Sequence, residues 1–458
     1  MSFYLNCENR VSYDVRFKCS SAVCIRDEHM NRNIMSIQNL FYRIPVIRFD
    51  VKQMRIKKLL AILLASVILA AVFTLSPAIS SLMNYVIIES GGRIELGGSV
   101  VTASSGSAED IQEAVDLIRA TGGTVYVPAG TFYWNSETVN SVGGVNIVGA
   151  GGGSNGTILH NNKAAPFDPM FVIDGSNHKP FRISGIRFEG TVTSSNDDVD
   201  GSAIQISSEA LDFRVDHCTF INFPNEAIGV FNFATGTIQG VIDHNIIDNP
   251  YKDVYGGLWA YGIVIAGQYA NWDEDITHFL GKYETAPSGF PIVYIEDNHF
   301  SRCRHAIAST QSAWYVARYN VIDDERPENF GSVDVHGASS PTTPGGRGLE
   351  AYNNTIIGTA GYDSAQAFWI RGGGGVIFNN TMQNILYGIG LFREEYVPSQ
   401  VEDLWIWGNN MDGGTLINNY GEYEENVDYF LRAPNQGQDG FTYTPYPYPH
   451  PLTVETKP

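Results

Sequence analysis

A short pattern of residues recurs eight times between residues 181 and 411 of this chain. Each copy has a few alternating β-type residues, then a polar residue or asparagine, then an apolar residue. The equivalent positions are Ile186, Cys218, Asn245, Asn298, Asn320, Asn354, Asn380 and Asn409, at steps of 32, 27, 53, 22, 34, 26 and 29 residues. Periods of this size indicate a solenoid, and a β-rich unit of this length is one coil of a right-handed parallel β-helix. The step of 53 is close to twice 27 and predicts two coils there.

Asparagine at the repeated position has a physical reason. A coil turns a corner between two strands, and asparagine tolerates the left-handed backbone conformation that a tight corner requires. Stacked coils place the same residue every ~4.8 Å, so the side-chain amides can bond along the stack. We expect Asn320, Asn354, Asn380 and Asn409 to form one continuous row. Simple surface turns are the alternative.

The composition agrees with a solenoid of many short strands and tight turns. Gly accounts for 47 of 458 residues, charged residues for 17% and aromatic residues for 12%. The recognisable β-helix covers residues 106–414, and residues 81–105 are expected to form a linker and N-terminal cap. A solenoid of this length can be one domain because each coil packs only on its neighbours.

The first 80 residues differ from the rest. Residues 1–53 show no repeat, and residues 54–80 combine a basic start, the uncharged apolar run 59–75 and a cluster of small residues. This order is typical of a secretory signal peptide, with Met54 as the biological start and residues 1–53 as an over-translated extension. The alternative is a single-pass membrane anchor, for which 59–75 is short. In both cases the β-helix is expected outside the cell, secreted or attached to its surface.

The charge of the chain is concentrated after residue 80. Residues 1–80 hold 11 Lys+Arg and 5 Asp+Glu, so the remainder holds 29 − 11 = 18 basic and 49 − 5 = 44 acidic residues. Such a surface repels polyanions and argues against nucleic acid as a partner. Of the cysteines after residue 80, Cys218 occupies a repeat position, and we expect it and Cys303 to be buried thiols.

An amphipathic helix is predicted just before the first coil. Ser107 is expected to cap it, and Ile111, Ala114, Val115 and Ile118 fall on one face, which would cover the open end of the β-helix. Residues 110–115 followed by residues 123–131 resemble the N-terminal cap and first coil of the pectin-lyase-like superfamily of right-handed parallel β-helices. That superfamily contains lyases, hydrolases, esterases, phage tailspikes and adhesins, so the resemblance implies the fold and leaves the chemistry open.

The C-terminal residues 415–458 end in a stretch where tyrosine and proline alternate. Proline excludes a central strand and favours extended chain. A segment laid back along the last coils would bury the tyrosines. A flexible tail is the alternative.

A row of aspartates is a candidate metal site. The strand that holds Asp216 and His217 resembles the Asp-His-bearing strand of pectate lyases, in which the aspartate helps to bind catalytic calcium. Asp243 and Asp297 lie on later repeats and are expected to stack with Asp216. Stacked acids repel unless a cation or a proton lies between them, so the row predicts calcium. Polar strand residues that face solvent are the alternative, and the Arg-x-Pro-x-x-Arg motif of those enzymes is absent from the repeats.

The candidate catalytic residues lie between two clear repeats, in polar and glycine-rich sequence. They are Asp334, His336, Arg347, Glu350 and Arg371. His336 or Glu350 would be the general base, Asp334 would orient His336, and the arginines would bind carboxylate or hydroxyl groups. Glu350 and Arg371 are expected to share one groove because residues one coil apart lie side by side. The alternative is a structural network of ion pairs.

Aromatic residues crowd the long interval between Asn245 and Asn298. They are Tyr251, Tyr255, Trp259, Tyr261, Tyr269 and Trp272. Flat aromatic faces stack on sugar rings, and loops beside a solenoid groove often carry binding residues. The sequence therefore predicts a polysaccharide lyase or glycoside hydrolase that acts in the lateral groove. The alternative is a non-catalytic adhesin or glycan-binding protein, again with a polysaccharide or surface glycan as partner.

Overall fold

The computed structural model of the protein describes residues 99–164, 168–191, 201–232, 237–249, 259–267, 275–278, 280–282, 292–324, 331–338, 340, 342–359, 366–394 and 400–454. The predicted extension 1–53 and the signal or anchor 54–80 lie outside these residues. In the part of the chain that the structure describes, no helix is both long and apolar enough to cross a membrane.

The strands form three sheets, which we call A, B and C. Sheet A contains β1 (Ser99–Thr102), β2 (Gly123–Tyr126), β5 (Val145–Val148), β8 (Arg182–Ser184), β11 (Phe213–Asp216), β14 (Gln239–Asp243), β17 (Ile292–Glu296), β20 (Trp314–Arg318), β23 (Gly348–Tyr352), β26 (Gly373–Phe378), β29 (Val401–Trp407) and β32 (Tyr429–Phe430). Sheet B contains β3 (Gly130–Trp134), β6 (Thr157–Ala164), β9 (Ile186–Thr191), β12 (Thr219–Ile221), β15 (Ile246–Asp248), β18 (His299–Ser301), β21 (Val321–Asp324), β24 (Thr355–Gly358), β27 (Thr381–Gln383) and β30 (Asn410–Met411). Sheet C contains β4 (Val139–Val142), β7 (Phe171–Asp174), β10 (Ile204–Ser207), β13 (Glu226–Phe231), β16 (Tyr261–Ala266), β19 (Ile307–Thr310), β22 (Gly331–Val335), β25 (Gln366–Ile370), β28 (Tyr387–Leu391) and β31 (Thr415–Asn419).

From β2 onward, successive strands along the chain enter sheets A, B and C in turn, so three strands make one coil. From β2 onward the neighbouring strands pair in parallel, as where Val215 lies opposite Ile242 and Ile228 lies opposite Ile263. The predicted parallel β-helix is confirmed. Its right-handed winding, which is usual for parallel crossovers, stays a prediction.

The two coils predicted between Asn245 and Asn298 are in fact one. Oδ1 of Asn298 accepts hydrogen bonds from the backbone N–H and the side chain of Asn245, each at 3.0 Å, so the two residues belong to adjacent coils. The additional chain lies in the connection between β16 and β17, residues 267–291. A solenoid tolerates such an insertion because it leaves the contact between neighbouring coils unchanged.

The predicted cap is helix α1 (Ala108–Ile118). The side chain of Ser107 accepts a hydrogen bond from the N–H of Asp110, and the apolar face of the helix is buried. That face joins the same apolar core as the inward-facing residues of the three sheets. The helix therefore closes the exposed end of the core, as predicted.

The row of asparagines is confirmed as a continuous ladder at the corner between sheets A and B. Asn320, Asn354 and Asn380 are almost fully buried, and each donates to Oδ1 of the next asparagine through its backbone N–H and its side chain, at 2.9 to 3.0 Å. Cys218 extends the row, because its N–H donates to Asn245 at 2.9 Å. Cys218 and Cys303 are buried, as predicted, and burial raises the pKa of the Cys218 thiol to about 12.

The left-handed corner residue is not the ladder asparagine but the residue before it. The positive φ angles are 52° at His217, 54° at His244, 56° at Asp297, 57° at Tyr319, 55° at Asn353, 53° at Asn379 and 64° at Gly408. The two tasks assigned to one asparagine are therefore divided between neighbours. One residue turns the backbone, and the next sends its amide inward.

The C-terminal segment, residues 441–452, lies back along the outer face of sheet A, as predicted. Nη1 and Nη2 of Arg318 donate to the carbonyl oxygens of Tyr446 and Pro447 at 2.7 and 2.9 Å. The N–H of His450 donates to Glu296 at 2.8 Å. The rings of this segment pack on an apolar stripe formed by outward-facing side chains of sheet A.

Candidate functional site

The outer face of sheet C differs from the other two in the chain segments that border it. At the corner between sheets A and B the chain turns within two residues in many coils, as between β11 and β12. Long connections occur on both sides of sheet C, and they include residues 249–260 before β16, residues 267–291 after it and residues 336–347 after β22. Binding residues concentrate where loops border a rigid sheet, so this face is the candidate site.

A charged cluster lies on this face, where Asp334 on β22 meets Arg371 just after β25. The strand neighbours of Asp334 point into the core, so Asp334 points outward, although its side chain is fully buried. Nε and Nη2 of Arg371 donate to its two carboxylate oxygens at 3.0 and 2.8 Å. Nη1 of Arg371 donates to Oε1 of Glu394 at 3.2 Å. We call these three residues, together with His336, the sheet C cluster.

Burial and ion pairing act on Asp334 in opposite directions. Burial alone would raise the pKa of this carboxyl, but Arg371, with smaller contributions from His305 and His336, holds the pKa below its ordinary value. Burial would likewise lower the pKa of Arg371, and Asp334 raises it above its usual range. Asp334 is therefore an ionised group that fixes the guanidinium of Arg371 in place.

His336 follows β22 directly and is half-buried. The residue before His336 pairs in register with the residue before Arg371. The two side chains therefore start from neighbouring positions on adjacent coils. Nδ1 of His336 lies 2.9 Å from the carbonyl oxygen of Gly337. The structure does not support the predicted orientation of His336 by Asp334, because the hydrogen bonds of that carboxylate go to Arg371.

Glu394 completes the cluster and was not predicted. It follows β28 by three residues and packs so closely on Gly337 that a side chain there would collide with its Cγ. The available signal was the charged run Arg393-Glu394-Glu395 directly after the largely apolar stretch 385–392. Sequence spacing alone did not show that this run lies beside Arg371.

Aromatic and basic residues border the cluster on the side where the chain enters sheet C. The guanidinium of Arg304 lies 4.9 Å from the ring centre of Trp259, which is 38% exposed. Tyr261 packs beside this pair, with its ring centre 5.6 Å from that of Trp259 and 5.7 Å from the guanidinium carbon of Arg304. Burial raises its pKa well above the ordinary value, which Arg304 and Arg371 oppose and Asp334 reinforces. Of the six aromatic residues predicted to line a sugar-binding loop, Trp259 and Tyr261 are described, and the other four lie outside the described residues.

Glu350 lies elsewhere, on the outer face of sheet A beneath the C-terminal segment. The hydroxyl of Tyr443 and the N–H of Gly281 donate to its carboxylate at 2.7 and 2.8 Å. Burial raises the pKa of Glu350 to about 7, although these hydrogen bonds and the charge of Arg318 oppose the rise. The prediction that Glu350 and Arg371 share a groove is wrong, because β23 and β25 belong to different sheets.

Arg347 precedes β23 and is almost fully buried. Its Nη2 lies 3.5 Å from Oε1 of Glu402 on β29, and its charge opposes the burial that raises the pKa of Asp403. The structure therefore places Arg347 at the end of the connection from sheet C to sheet A, beside the start of β29.

The predicted calcium row is replaced by a ladder of ion pairs on the outer face of sheet A. Arg182 donates to both oxygens of Asp216 at 2.6 Å, and Arg214 donates to both oxygens of Asp243 at 2.8 and 2.7 Å. Burial would raise the pKa of Asp216, and the neighbouring arginines hold it below its ordinary value. Arginines thus neutralise the repulsion that was expected to require a cation.

Asp297 does not belong to that row. The residue opposite Asp243 is Glu296, and Asp297 occupies the left-handed corner position, where it accepts a hydrogen bond from Tyr448 at 2.7 Å. The error in register is one residue, which moves a side chain from one face to another. Among the described residues, no group of three or more His, Cys, Asp or Glu side chains is arranged to hold a metal ion.

No protein-family model matches this chain, and no curated protein matches it either. Among solved structures it is similar to an alginate lyase from Paenibacillus sp. strain FPU-7, with 15% identity over 70% of this chain and 98% of that chain and a TM-score of 0.47. It is also similar to the catalytic domain of a GH87 alpha-1,3-glucanase, with 15% identity over 76% and 70% of the two chains and a TM-score of 0.43. A third similarity is to the tailspike protein of E. coli bacteriophage HK620, with 14% identity over 68% and 63% and a TM-score of 0.36. Each similarity concerns the backbone fold alone.

Proposed function

We propose that the protein binds a polysaccharide on the outer face of sheet C and cleaves it beside Arg371. The observation that carries this proposal is the sheet C cluster itself, a guanidinium fixed by a buried carboxylate, with an imidazole and a second carboxylate beside it. The cluster lies on the outer face of sheet C, which has long connections on both sides. A polymer needs such an open, elongated surface, whereas a small molecule is usually enclosed in a pocket.

The members of the cluster divide the chemistry of glycosidic cleavage between them. Arg371 is held rigidly, and its guanidinium suits a carboxylate or a pair of hydroxyl groups on a sugar. His336 and Glu394 are both half-buried and border Arg371, so they are the residues that would transfer protons. Asp334 is a positioning residue, because it is buried and already bonded twice to Arg371.

A second candidate is a glycan-binding protein without catalysis. The observation that favours it is the pairing of Arg371 with both Asp334 and Glu394, which uses carboxylates that could otherwise transfer protons. In this case the cluster is a polar recognition surface, and no bond is broken.

The experiment uses alginate, polygalacturonate, α-1,3-glucan and dextran, a panel of acidic and neutral polysaccharides. Binding is measured by retardation in affinity gels, and cleavage is measured by new reducing ends together with ultraviolet absorbance of unsaturated ends. His336→Ala and Glu394→Gln are compared with His299→Ala, which removes an exposed imidazole on sheet B.

Cleavage by the wild-type protein that is lost in both cluster variants and kept in the control would support catalysis at this site. Ultraviolet-absorbing products would indicate a lyase, and their absence with new reducing ends a hydrolase. Binding without cleavage would favour the second candidate. Cleavage that survives both cluster substitutions would exclude the cluster as the catalytic site.

We also propose that the protein is exported, because residues 54–80 have the order of a signal peptide. N-terminal sequencing of the protein from culture medium should find a start near Ser81. A start at Met1 in a membrane fraction would favour the anchor instead.

A further inference from the structure

Four aromatic rings cover the outer face of sheet C on its C-terminal side, and the function proposed above does not use them. Trp369, Phe392, Tyr420 and Tyr387 follow one another with ring centres 6.1, 6.4 and 6.4 Å apart. Neighbouring rings are inclined to each other by 60° to 74°. Tyr420 is 47% exposed, and the other three are half-buried. We call these four residues the aromatic platform.

The platform continues directly from the sheet C cluster. The guanidinium carbon of Arg371 lies 5.6 Å from the ring centre of Trp369. The residue before Arg371 pairs in register with the residue before Phe392, which in turn pairs with the residue before Tyr420. Phe392 and Tyr420 therefore continue the row of Arg371 on the next two coils. Asn418 extends the row of Trp369 in the same way. Polar side chains, those of Arg371 and Asn418, thus lie beside the rings.

We infer that the aromatic platform binds consecutive sugar rings of the same polysaccharide, on one side of the point of cleavage. This inference rests on the proposed function. It adds where the polysaccharide lies on the protein and along which axis it runs. The face of an aromatic ring accommodates the apolar face of a pyranose, while Arg371 and Asn418 are placed to meet its hydroxyl groups. A protein partner would favour a continuous apolar surface, whereas polar side chains interrupt this one.

The sheet C cluster and the aromatic platform together set the size of the ligand that this face holds. From β22, which carries Asp334, to β31, which precedes Tyr420, there are three steps between coils. At about 4.8 Å for each step the distance is about 14 Å, which is the length of a trisaccharide rather than of a single sugar. The polysaccharide therefore lies along the axis of the β-helix, across the strands of sheet C.

The test compares Tyr420→Ala and Phe392→Ala with Tyr420→Phe, which keeps the ring, and with Tyr133→Ala. Tyr133 is a 65% exposed tyrosine on sheet B and serves as the matched control. Affinity for the panel polysaccharide that binds best is measured by gel retardation. Calorimetry with disaccharide to hexasaccharide fragments of that polysaccharide gives the dependence on length. Thermal unfolding checks that each variant is folded.

We expect about a tenfold loss of affinity in each ring-removing variant, and wild-type affinity in Tyr420→Phe and Tyr133→Ala. Affinity of the wild-type protein should rise steeply up to the trisaccharide. Unchanged affinity in folded Tyr420→Ala and Phe392→Ala would overturn the platform, even where the wild-type protein cleaves the polymer. Loss of affinity in these variants without any cleavage would keep the platform and refute the catalytic proposal. If no polysaccharide of the panel binds, both proposals fail.

Discussion

The outer faces of sheet A and sheet C carry the same kinds of side chain but differ in how far these side chains are buried. On sheet A, Glu296, Arg318 and Glu350 are buried beneath the C-terminal segment, which supplies hydrogen bonds to all three. On sheet C, Asp334 is buried, but 15% of the Arg371 side chain and 23% of the Glu394 side chain are exposed. The C-terminal segment covers its part of sheet A, whereas two charged residues of the sheet C cluster reach solvent.

This difference shows that residue type alone does not identify a functional site. An arginine beside a carboxylate and aromatic rings occurs on both faces, as with Arg318 and Tyr294 on sheet A and with Arg371 and Trp369 on sheet C. On sheet A the backbone of residues 446–450 occupies the positions where a ligand would bind. The sheet A charges beneath residues 446–450 therefore stabilise the fold, whereas Arg371 and Glu394 on sheet C keep exposed surface.

The largest expected effect is the loss of the buried arginine of sheet A. Arg318 is fully buried and bonded to Glu296, Tyr352 and two carbonyl oxygens of the C-terminal segment. Arg318→Ala should lower the free energy of unfolding by about 3–5 kcal/mol, because it leaves a buried carboxylate without its partner. Denaturant unfolding measures the change.

The matched control is Arg302→Ala. Arg302 donates to both oxygens of Asp248, but this pair is exposed, with 43% and 28% of the two side chains accessible. Exposed pairs contribute about 0–1 kcal/mol. Equal losses in the two variants would contradict the view that the closed face is structural.

The next effect is a pH dependence that distinguishes the faces. Burial raises the pKa of Glu350 from an ordinary 4.5 to about 7, so the folded protein binds a proton there that the unfolded chain has released. Stability is therefore lost as pH rises from about 4.5 to about 7, by up to about 3 kcal/mol. The pKa of Asp334 is lowered instead, so its contribution is lost as pH falls below its ordinary value.

The variant Glu350→Gln isolates the contribution of Glu350 to the pH dependence of stability. It removes the titrating group, and the amide oxygen can still accept the N–H of Gly281. Between about pH 5 and pH 8 the unfolding free energy of the wild-type protein should fall more than that of the variant. Other titrating groups, including Glu296, are common to both proteins and cancel. Parallel curves would show that Glu350 is not protonated in the folded state.

A third region, the corner between sheets A and B, has an intermediate effect. Asn354 donates to Asn380 and to the carbonyl oxygen of Ala317, and its own oxygen accepts two hydrogen bonds from Asn320. Asn354→Leu should lower the unfolding free energy by about 1–3 kcal/mol, because buried partners lose their hydrogen bonds. Asn418→Leu, on the half-exposed face of sheet C, should change it by less than about 0.5 kcal/mol. Similar losses would mean that the ladder is no more than a set of turns.

The solenoid, its cap and the ladder were predictable from the sequence because each depends on local patterns. Apolar residues alternate within a strand, and the asparagine recurs once in each coil. The count of coils failed between Asn245 and Asn298, since a period alone does not separate an insertion from an additional coil. The predicted register was wrong at Asp297. A shift of one residue moves a side chain from the outer face of sheet A to the corner between sheets A and B.

The candidate site was predicted only in part, because neighbours in a site come from different coils and sheets. Asp334, His336 and Arg371 were found since they lie at one edge of adjacent coils of sheet C. Glu350 was assigned to the same groove because sequence spacing does not tell which sheet a strand enters. Its burial depends on Tyr443, a residue of the C-terminal segment.

The smallest expected change in unfolding free energy comes from comparing two glycines. Gly337 lies beside Glu394 on sheet C, and Gly281 lies beside Glu350 on sheet A. On sheet C, the atoms nearest to a methyl group at Gly337 would all belong to the side chain of Glu394. At Gly281, beside Glu350, it would meet the backbone oxygen of Thr444, and the φ angle there is +74°. Gly337→Ala should therefore lower the unfolding free energy less than Gly281→Ala, which should cost about 1–3 kcal/mol. Polysaccharide binding in gels should weaken in Gly337→Ala, because the substitution displaces Glu394 from Arg371, and it should persist in Gly281→Ala that remains folded. The reverse result would place the glycan on the closed face and not on the open one.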